Sequence, residues 1–224
     1  MKNERVRIVK DYVMEKMANS IIPAHDFEHV DRVRKWALKI AKSEQYLNFD
    51  VVETAALLHD IGMLDNCGDH GERGAEITAQ YLIATNLFLP EEIFEICNAI
   101  RFHNKKFCGE GKLLDIIRDA DMLDMFGAGG IVRACTSKAN QRVYDPVNPK
   151  GETWGMTSVD FDRRFEDKEG KRVGVGKYII DQINFQISCL ANLKSTLAKE
   201  LALPMIEFMI SFILELETEI NSNN

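Results

Sequence analysis

Residues 51–62 read Val-Val-Glu-Thr-Ala-Ala-Leu-Leu-His-Asp-Ile-Gly, and this stretch decides the class of fold. Val51 to Leu58 is short and densely apolar, as a buried helix requires. It stops at Ile61-Gly62, where glycine suits a left-handed C-cap. Upstream, Val30, Val33, Ala37, Ile40 and Ala41 step by three and four after Pro23, and Val6, Val9, Val13 and Met17 do the same before it. Downstream, Ala75, Thr78, Ala79 and Leu82 mark a fourth helix. Pro90 suits the first position of a fifth, with Glu91 and Glu92 at its positive dipole end and a stripe of Ile93, Ile96, Cys97 and Ile100. Leu113, Ile116, Ile117, Ala120 and Asp124 line a sixth that ends near Gly127, and a seventh is expected from Ile131 to about Gln141.

From about residue 144 to 176 the character changes. Pro146, Pro149 and glycines 151, 155, 170, 174 and 176 lie among charges, which reads as a long irregular surface excursion with one short strand at 171–175. Helical spacing resumes at Ile179, Ile183, Ile187 and Leu190, and Pro204 is expected to open a last helix. Its stripe of Met205, Phe208, Met209, Phe212, Ile213 and Leu216 reads as core or a homodimer contact rather than a ligand groove. The expected chain is all-α, one domain over residues 1–224, with C-terminal helices over about 177–220.

Composition narrows the function. The 224 residues are 46% apolar, enough to build a core without disulfides. With 28 basic and 35 acidic residues the net charge is −7, which repels a phosphate backbone and argues against bulk nucleic-acid binding. The first residues mix charges with apolar side chains and lack the apolar core of a signal peptide. No apolar run approaches a membrane span. Five scattered cysteines without a C-x-x-C pair read as reduced thiols. A cytoplasmic protein without a membrane partner is the expectation.

The chemistry sits in the five histidines, 25, 29, 59, 70 and 103, with none in the rest of the chain. Most fall at expected helix ends, where side chains converge without breaking the packing between helices. An adjacent His59–Asp60 pair at a turn can offer ligands to one ion or to two neighbouring ions. Imidazole with carboxylate and no thiolate suits Mn, Fe, Ni or Zn, and Mg less well. Bound metal lowers the pKa of water and makes hydroxide near neutral pH. Taken singly, each residue has a plainer reading: a cap for His25, a partly buried structural role for His29, a helix terminator for Asp60. On the sixth helix Asp121 projects about 80° from the centre of the apolar face and Asp124 lies close to that centre. A core-facing carboxylate needs a partner, so periodicity alone nominates Asp124.

Three segments together resemble a known signature: His25-Asp26-Phe27-Glu28-His29-Val30-Asp31-Arg32-Val33, Leu57-Leu58-His59-Asp60-Ile61-Gly62, and Arg118-Asp119-Ala120-Asp121-Met122-Leu123-Asp124. They are similar to the H…HD…D pattern of the HD superfamily of metal-dependent phosphohydrolases, and most of all to its small bacterial stand-alone members. The likeness covers about residues 20 to 140, the expected metal-site core. It implies an HD-type helical bundle, with His29, His59, Asp60 and Asp121 as metal ligands and Asp60 and Asp121 as the catalytic carboxylates. The family thus prefers Asp121 where the helix angle favours Asp124, which is left behind the ligands or on the substrate side. His70, in His-Gly-Glu-Arg-Gly-Ala-Glu-Ile, and His103, in Ile-Arg-Phe-His-Asn, resemble the extra histidines of dinuclear HD proteins. Asp60 would then bridge two ions; in other relatives such histidines hold phosphate beside a single metal. His25 occupies a recurrent motif position without a ligand role and is assigned to the substrate side.

The resemblance implies hydrolysis of a nucleotide or other small phosphate ester with one or two divalent ions. Two alternatives share the motif: a dinuclear-iron HD oxygenase and a non-catalytic nucleotide sensor. Lys105 and Lys106 follow His103 directly. They read either as solvated loop lysines or as a clamp for substrate phosphate. Arg32 and Arg118 each read as orienting groups or as ordinary ion-pair partners.

Overall fold

A computed structural model describes residues 2–18, 24–65, 69–105, 108–165 and 174–222. The chain divides into two compact units, Met1–Asp124 and Met125–Asn224. Among the described residues there are ten α-helices, two 3-10 turns and no strand, so the all-α expectation holds. No helix among them is long and apolar enough to cross a membrane.

The first unit holds α1 (Lys2–Met17), α2 (Phe27–Ser43), α3 (Phe49–Leu58), a 3-10 turn (Ile61–Asp65), α4 (His70–Thr85), α5 (Pro90–Phe102) and α6 (Lys112–Asp124). Helix α3 is its axis, packed against α1, α2, α5 and α6. Val51, Val52, Ala55, Ala56, Leu57 and Leu58 are all sealed from solvent, which explains why the run lacks a polar stripe. Each such leucine contributes about 1.5–3 kcal/mol by burial. The helix starts follow local chemistry. Asp26 caps α2 by accepting from the His29 N–H, and Asp69 caps α4 by accepting from the Glu72 N–H. Pro90 opens α5, where the Glu92 carboxylate reaches back to the Leu89 N–H at 3.0 Å. Arg5 of α1 then binds Glu92 and Asp50 at 2.8 and 2.7 Å, tying three elements at one end.

Gly62 is needed for a different reason from the expected left-handed cap. It lies inside the 3-10 turn, and a Cβ there would come within 2.1 Å of the His70 carbonyl oxygen and 2.5 Å of the Gly74 nitrogen. The turn and the start of α4 touch backbone to backbone, and that contact excludes any side chain.

The second unit holds α7 (Gly127–Ser137), α8 (Ser158–Phe165), α9 (Ile179–Ser188), a 3-10 turn (Cys189–Asn192) and α10 (Thr196–Ser222). Three expectations need correction. Helix α7 begins at Gly127, not Ile131, and stops at Ser137, short of Gln141. Its glycines open the helix instead of ending the previous one, and a Cβ on Gly130 would lie 2.0 Å from the Met125 oxygen. Helix α10 begins at Thr196 with Pro204 inside it. The Thr-Leu-Ala-Lys-Glu-Leu-Ala-Leu run is strongly helix-forming, and both Pro204 and Glu200, whose carbonyl it cannot bond, are exposed residues. Its buried stripe is Ala198, Ala202, Ile206, Met209 and Ile213, while Phe208 and Phe212 remain exposed.

The excursion is the third correction. It contains α8, anchored by a fully buried Phe161. Its two ends are joined, with the Ile179 N–H donating to the Arg142 carbonyl at 2.9 Å. Buried Asp181 accepts from the Thr153 hydroxyl at 2.6 Å and from the Lys177 and Tyr178 amides at 3.0 Å each. Of the expected strand, residues 171–173 lie outside the described residues, and Gly174 and Val175 are not in a strand.

Candidate metal centre

Four of the five histidines are placed by a helix terminus. His29 is in the first turn of α2, His59 is the C-cap of α3, His70 is the first residue of α4, and His103 is the C-cap of α5. A helix end leaves its last carbonyls unbonded. His59 uses this by setting its Nδ1 2.8 Å from the Ala56 oxygen, and His103 repeats it at 2.7 Å from the Ile100 oxygen. A carbonyl only accepts, so both Nδ1 atoms donate, and each ring in its neutral form offers an Nε2 lone pair. His29 reaches the same state through a carboxylate, with Nδ1 2.7 Å from Asp124 Oδ2.

The Nε2 atoms converge on Asp60. Its Oδ2 lies 3.3 Å from His29 Nε2 and 3.4 Å from His59 Nε2, and it meets His25 Nδ1 at 2.7 Å. Its Oδ1 faces the other way, 3.8 Å from His70 Nε2 and 3.6 Å from His103 Nε2. Asp121 Oδ1 completes the first side at 3.5 Å from His29 Nε2 and 4.0 Å from His59 Nε2. His70 and His103 bring their Nε2 atoms within 3.3 Å of each other.

The glycines of His-Gly-Glu-Arg-Gly make that second pair. A Cβ on Gly71 would lie 2.7 Å from the Arg101 oxygen, and one on Gly74 would lie 3.1 Å from Ile100. Their absence lets the first turn of α4 rest on the last turn of α5. Two glycines at the first and fourth positions after a histidine were the sequence signal for this close approach.

Burial and charge act strongly here. The His29, His59, His103 and Asp60 side chains are almost wholly buried, while His25, His70 and Asp121 are 30, 25 and 30% exposed and form the open side. Burial lowers the His59 pKa, but Asp60 and Asp121 outweigh it and lift the ring to about 9. His29 is raised in the same way against burial, through Asp124 and Asp60. Burial pushes the Asp60 and Asp121 carboxyls up, and the surrounding imidazoles, His59 foremost, hold both below their ordinary value. His70 goes the other way, down to about 4, through burial and the neighbouring His103. A cation bound between these carboxylates would take the place of the protons they draw onto His59 and His29.

His29 Nε2 and His59 Nε2 are buried without a hydrogen-bond partner. A buried nitrogen left unpaired is expensive, and a divalent ion would satisfy both at once. Three sets of residues bring one donor atom each to within 4.8 Å: His25, His29 and Asp60; His29, His59 and Asp121; His59, Asp60 and His103. The cluster could therefore hold a metal ion, and its nitrogen and oxygen donors suit a transition metal.

Two sites nominated from sequence lie to the side of this cluster. Asp124 is behind His29, where Arg32 binds it through Nε at 2.7 Å and through a terminal nitrogen at 3.1 Å. It faces His29 Nδ1 and not the open side. Lys105 puts its ammonium 2.8 Å from Asp69, the cap of α4. Lys106 lies outside the described residues. Sequence reasoning missed the Lys105–Asp69 pair, since nothing in either local pattern relates positions so far apart.

The family model for the HD domain matches residues 26–125. No curated protein matches the chain. Among solved structures, the chain is similar to a Lactobacillus plantarum protein at 22% identity, covering 97% of each chain with a TM-score of 0.70. An HD-superfamily hydrolase from Bacillus thuringiensis aligns at 24% identity over 99% of each chain, with a TM-score of 0.69. Bacillus subtilis YpgQ, solved in complex with ADP, aligns at 21% identity over 97% of this chain and 96% of its own, with a TM-score of 0.67. At these identities the likeness is one of fold.

Proposed function

We propose, from the HD domain that residues 26–125 form, that this chain is a metal-dependent phosphohydrolase acting on a nucleotide or another small phosphate ester. One observation carries the reading: the two oxygens of Asp60 face two different pairs of histidine Nε2 atoms, His29 with His59 and His70 with His103. A carboxylate so placed can serve two cations, one on each side. The ADP bound to YpgQ supports a nucleotide as the substrate class.

His29, His59, Asp60 and Asp121 would hold one divalent ion, and His70 and His103 with Asp60 a second. Such ions supply Lewis acidity and hydroxide near neutral pH. The chain's own part is positional. Asp124 and the Ala56 and Ile100 carbonyls fix the three buried rings. Asp121, on the open side, accepts a hydrogen bond from the attacking water and directs its lone pair at phosphorus, in line with the leaving oxygen. His25, half-buried beside Asp60, would face the substrate, and Lys105 would exchange Asp69 for its phosphate.

The test is metal analysis of the purified chain, joined to a panel of phosphatase and nucleotidase substrates. Bound transition metal and phosphate release support the reading. Iron with O₂ consumption and no phosphate release would replace it with the oxygenase. Tight nucleotide binding without turnover under any metal would replace it with the sensor.

A further inference from the structure

Arg118 lies three residues before Asp121 on α6, and one of its terminal nitrogens donates to three backbone carbonyls: Phe102 at 2.8 Å, Cys108 at 2.6 Å, and Lys105. Phe102 is the last residue of α5, so the guanidinium gathers the turn that carries His103, Asn104 and Lys105. A cation at a helix C-terminus is favourable by itself. This one is held at a cost, because its Nε is buried without a partner. Burial also draws its pKa below the usual arginine value, against the opposing effect of Asp115.

The turn is gripped a second time. The carbonyl of Lys105 goes to Arg118, and its ammonium goes to Asp69 at 2.8 Å, the residue before His70. The backbone bond from Lys105 N to the Phe102 oxygen, 3.0 Å, closes the turn. At its centre His103 Nε2 is 3.3 Å from His70 Nε2 and 3.6 Å from Asp60 Oδ1. We propose that Arg118 is a positioning residue for His103: by gathering the turn after α5 it builds the His70–His103 half of the centre onto the helix that carries Asp121. The inference rests on the two-ion reading above.

The experiment compares the full-length chain with its R118M and R118K variants, each stripped of metal and titrated with Mn²⁺. R118M should keep one Mn²⁺ at wild-type affinity and bind the second about 10- to 100-fold more weakly, the loss usual for groups that orient ligands. In metal-free R118M, amide hydrogen exchange at Lys105 and Cys108 should quicken while α3 stays protected. R118K keeps a charge and a donor but not the planar fork, so it should fall between the two. Wild-type affinity for both ions with unchanged exchange in R118M would overturn the proposal. Should R118M fail to fold, the same result in R118K overturns it. A wild-type chain that takes a single Mn²⁺ defeats the two-ion reading, and unchanged exchange at Lys105 and Cys108 then decides against Arg118 independently.

Discussion

His29 and Asp124 share a buried contact of 2.7 Å between Nδ1 and Oδ2, on the side of the ring away from Asp60. Arg32 holds that carboxylate through two further bonds. Asp124 can therefore only accept, the proton on Nδ1 is fixed, and Nε2 is left to face Asp60 and Asp121. The direction in which His29 can bind an ion is set on the far side of the ring.

Asp124→Asn should accordingly weaken ion binding about 10- to 100-fold while leaving the helical content intact. An amide can donate as well as accept, so the ring loses its fixed tautomer. Mn²⁺ titration followed by calorimetry measures this. Wild-type affinity in the variant would make Asp124 a purely structural partner of Arg32.

Replacing His59 and Asp60 together by Ala should abolish metal binding, since on the two-ion reading both positions lose a donor. His103→Ala should remove about one ion of two and leave the His29 side loaded. Elemental analysis of the purified variants gives the count. Equal loss in the two cases would mean that the centre is a single unit.

At the far end of the first unit, burial pushes the Glu92 carboxyl up, but hydrogen bonds from Arg5 and Asn48 outweigh it and hold it below its ordinary 4.5. A depressed carboxyl stabilises the fold above its unfolded pKa and loses that effect as pH falls through the folded value. Glu92→Gln should therefore cost about 1.5 kcal/mol or more at pH 7. The gap between wild type and variant should narrow below about pH 4.5 and close once the native carboxyl is protonated. Urea unfolding across that range is the measurement, and a gap that stays constant with pH would assign the loss to packing.

Gly62→Ala should destabilise by about 3 kcal/mol or more, because the new Cβ meets backbone and not a movable side chain. Gly129→Ala is the control. Nothing lies within 4 Å of its Cβ position, and alanine inside α7 should add about 0.5–1 kcal/mol. Thermal unfolding of the two variants reads both signs.

The two aspartates of α6 show what a sequence can disclose. Periodicity placed Asp124 on the buried face, and it is 7% exposed. What periodicity could not show is that its burial is satisfied by His29 and Arg32, behind the centre. Asp121 lies off the apolar face because it is turned to an open cluster, and only resemblance nominated it. Helix α8 went unread because Ser-Val-Asp-Phe-Asp-Arg-Arg-Phe is only eight residues long and lies in a stretch dominated by prolines, glycines and charges, with Phe161 its one fully buried side chain. Pro204 misled because proline's preference for a first turn is weaker evidence than the helix-forming run before it.

His59 and His103 each end a helix and face Asp60 at the same time, through a bond to their own helix's carbonyl three residues back. A ring so placed is indexed by counting residues from the start of its helix. Deleting or inserting one residue within α3 or α5 would swing the imidazole by about 100° and shift it by about 1.5 Å along the axis, whatever the side chains around it. A change in the length of either helix would therefore turn its ring away from Asp60, whereas a change in the length of a connection between helices need not.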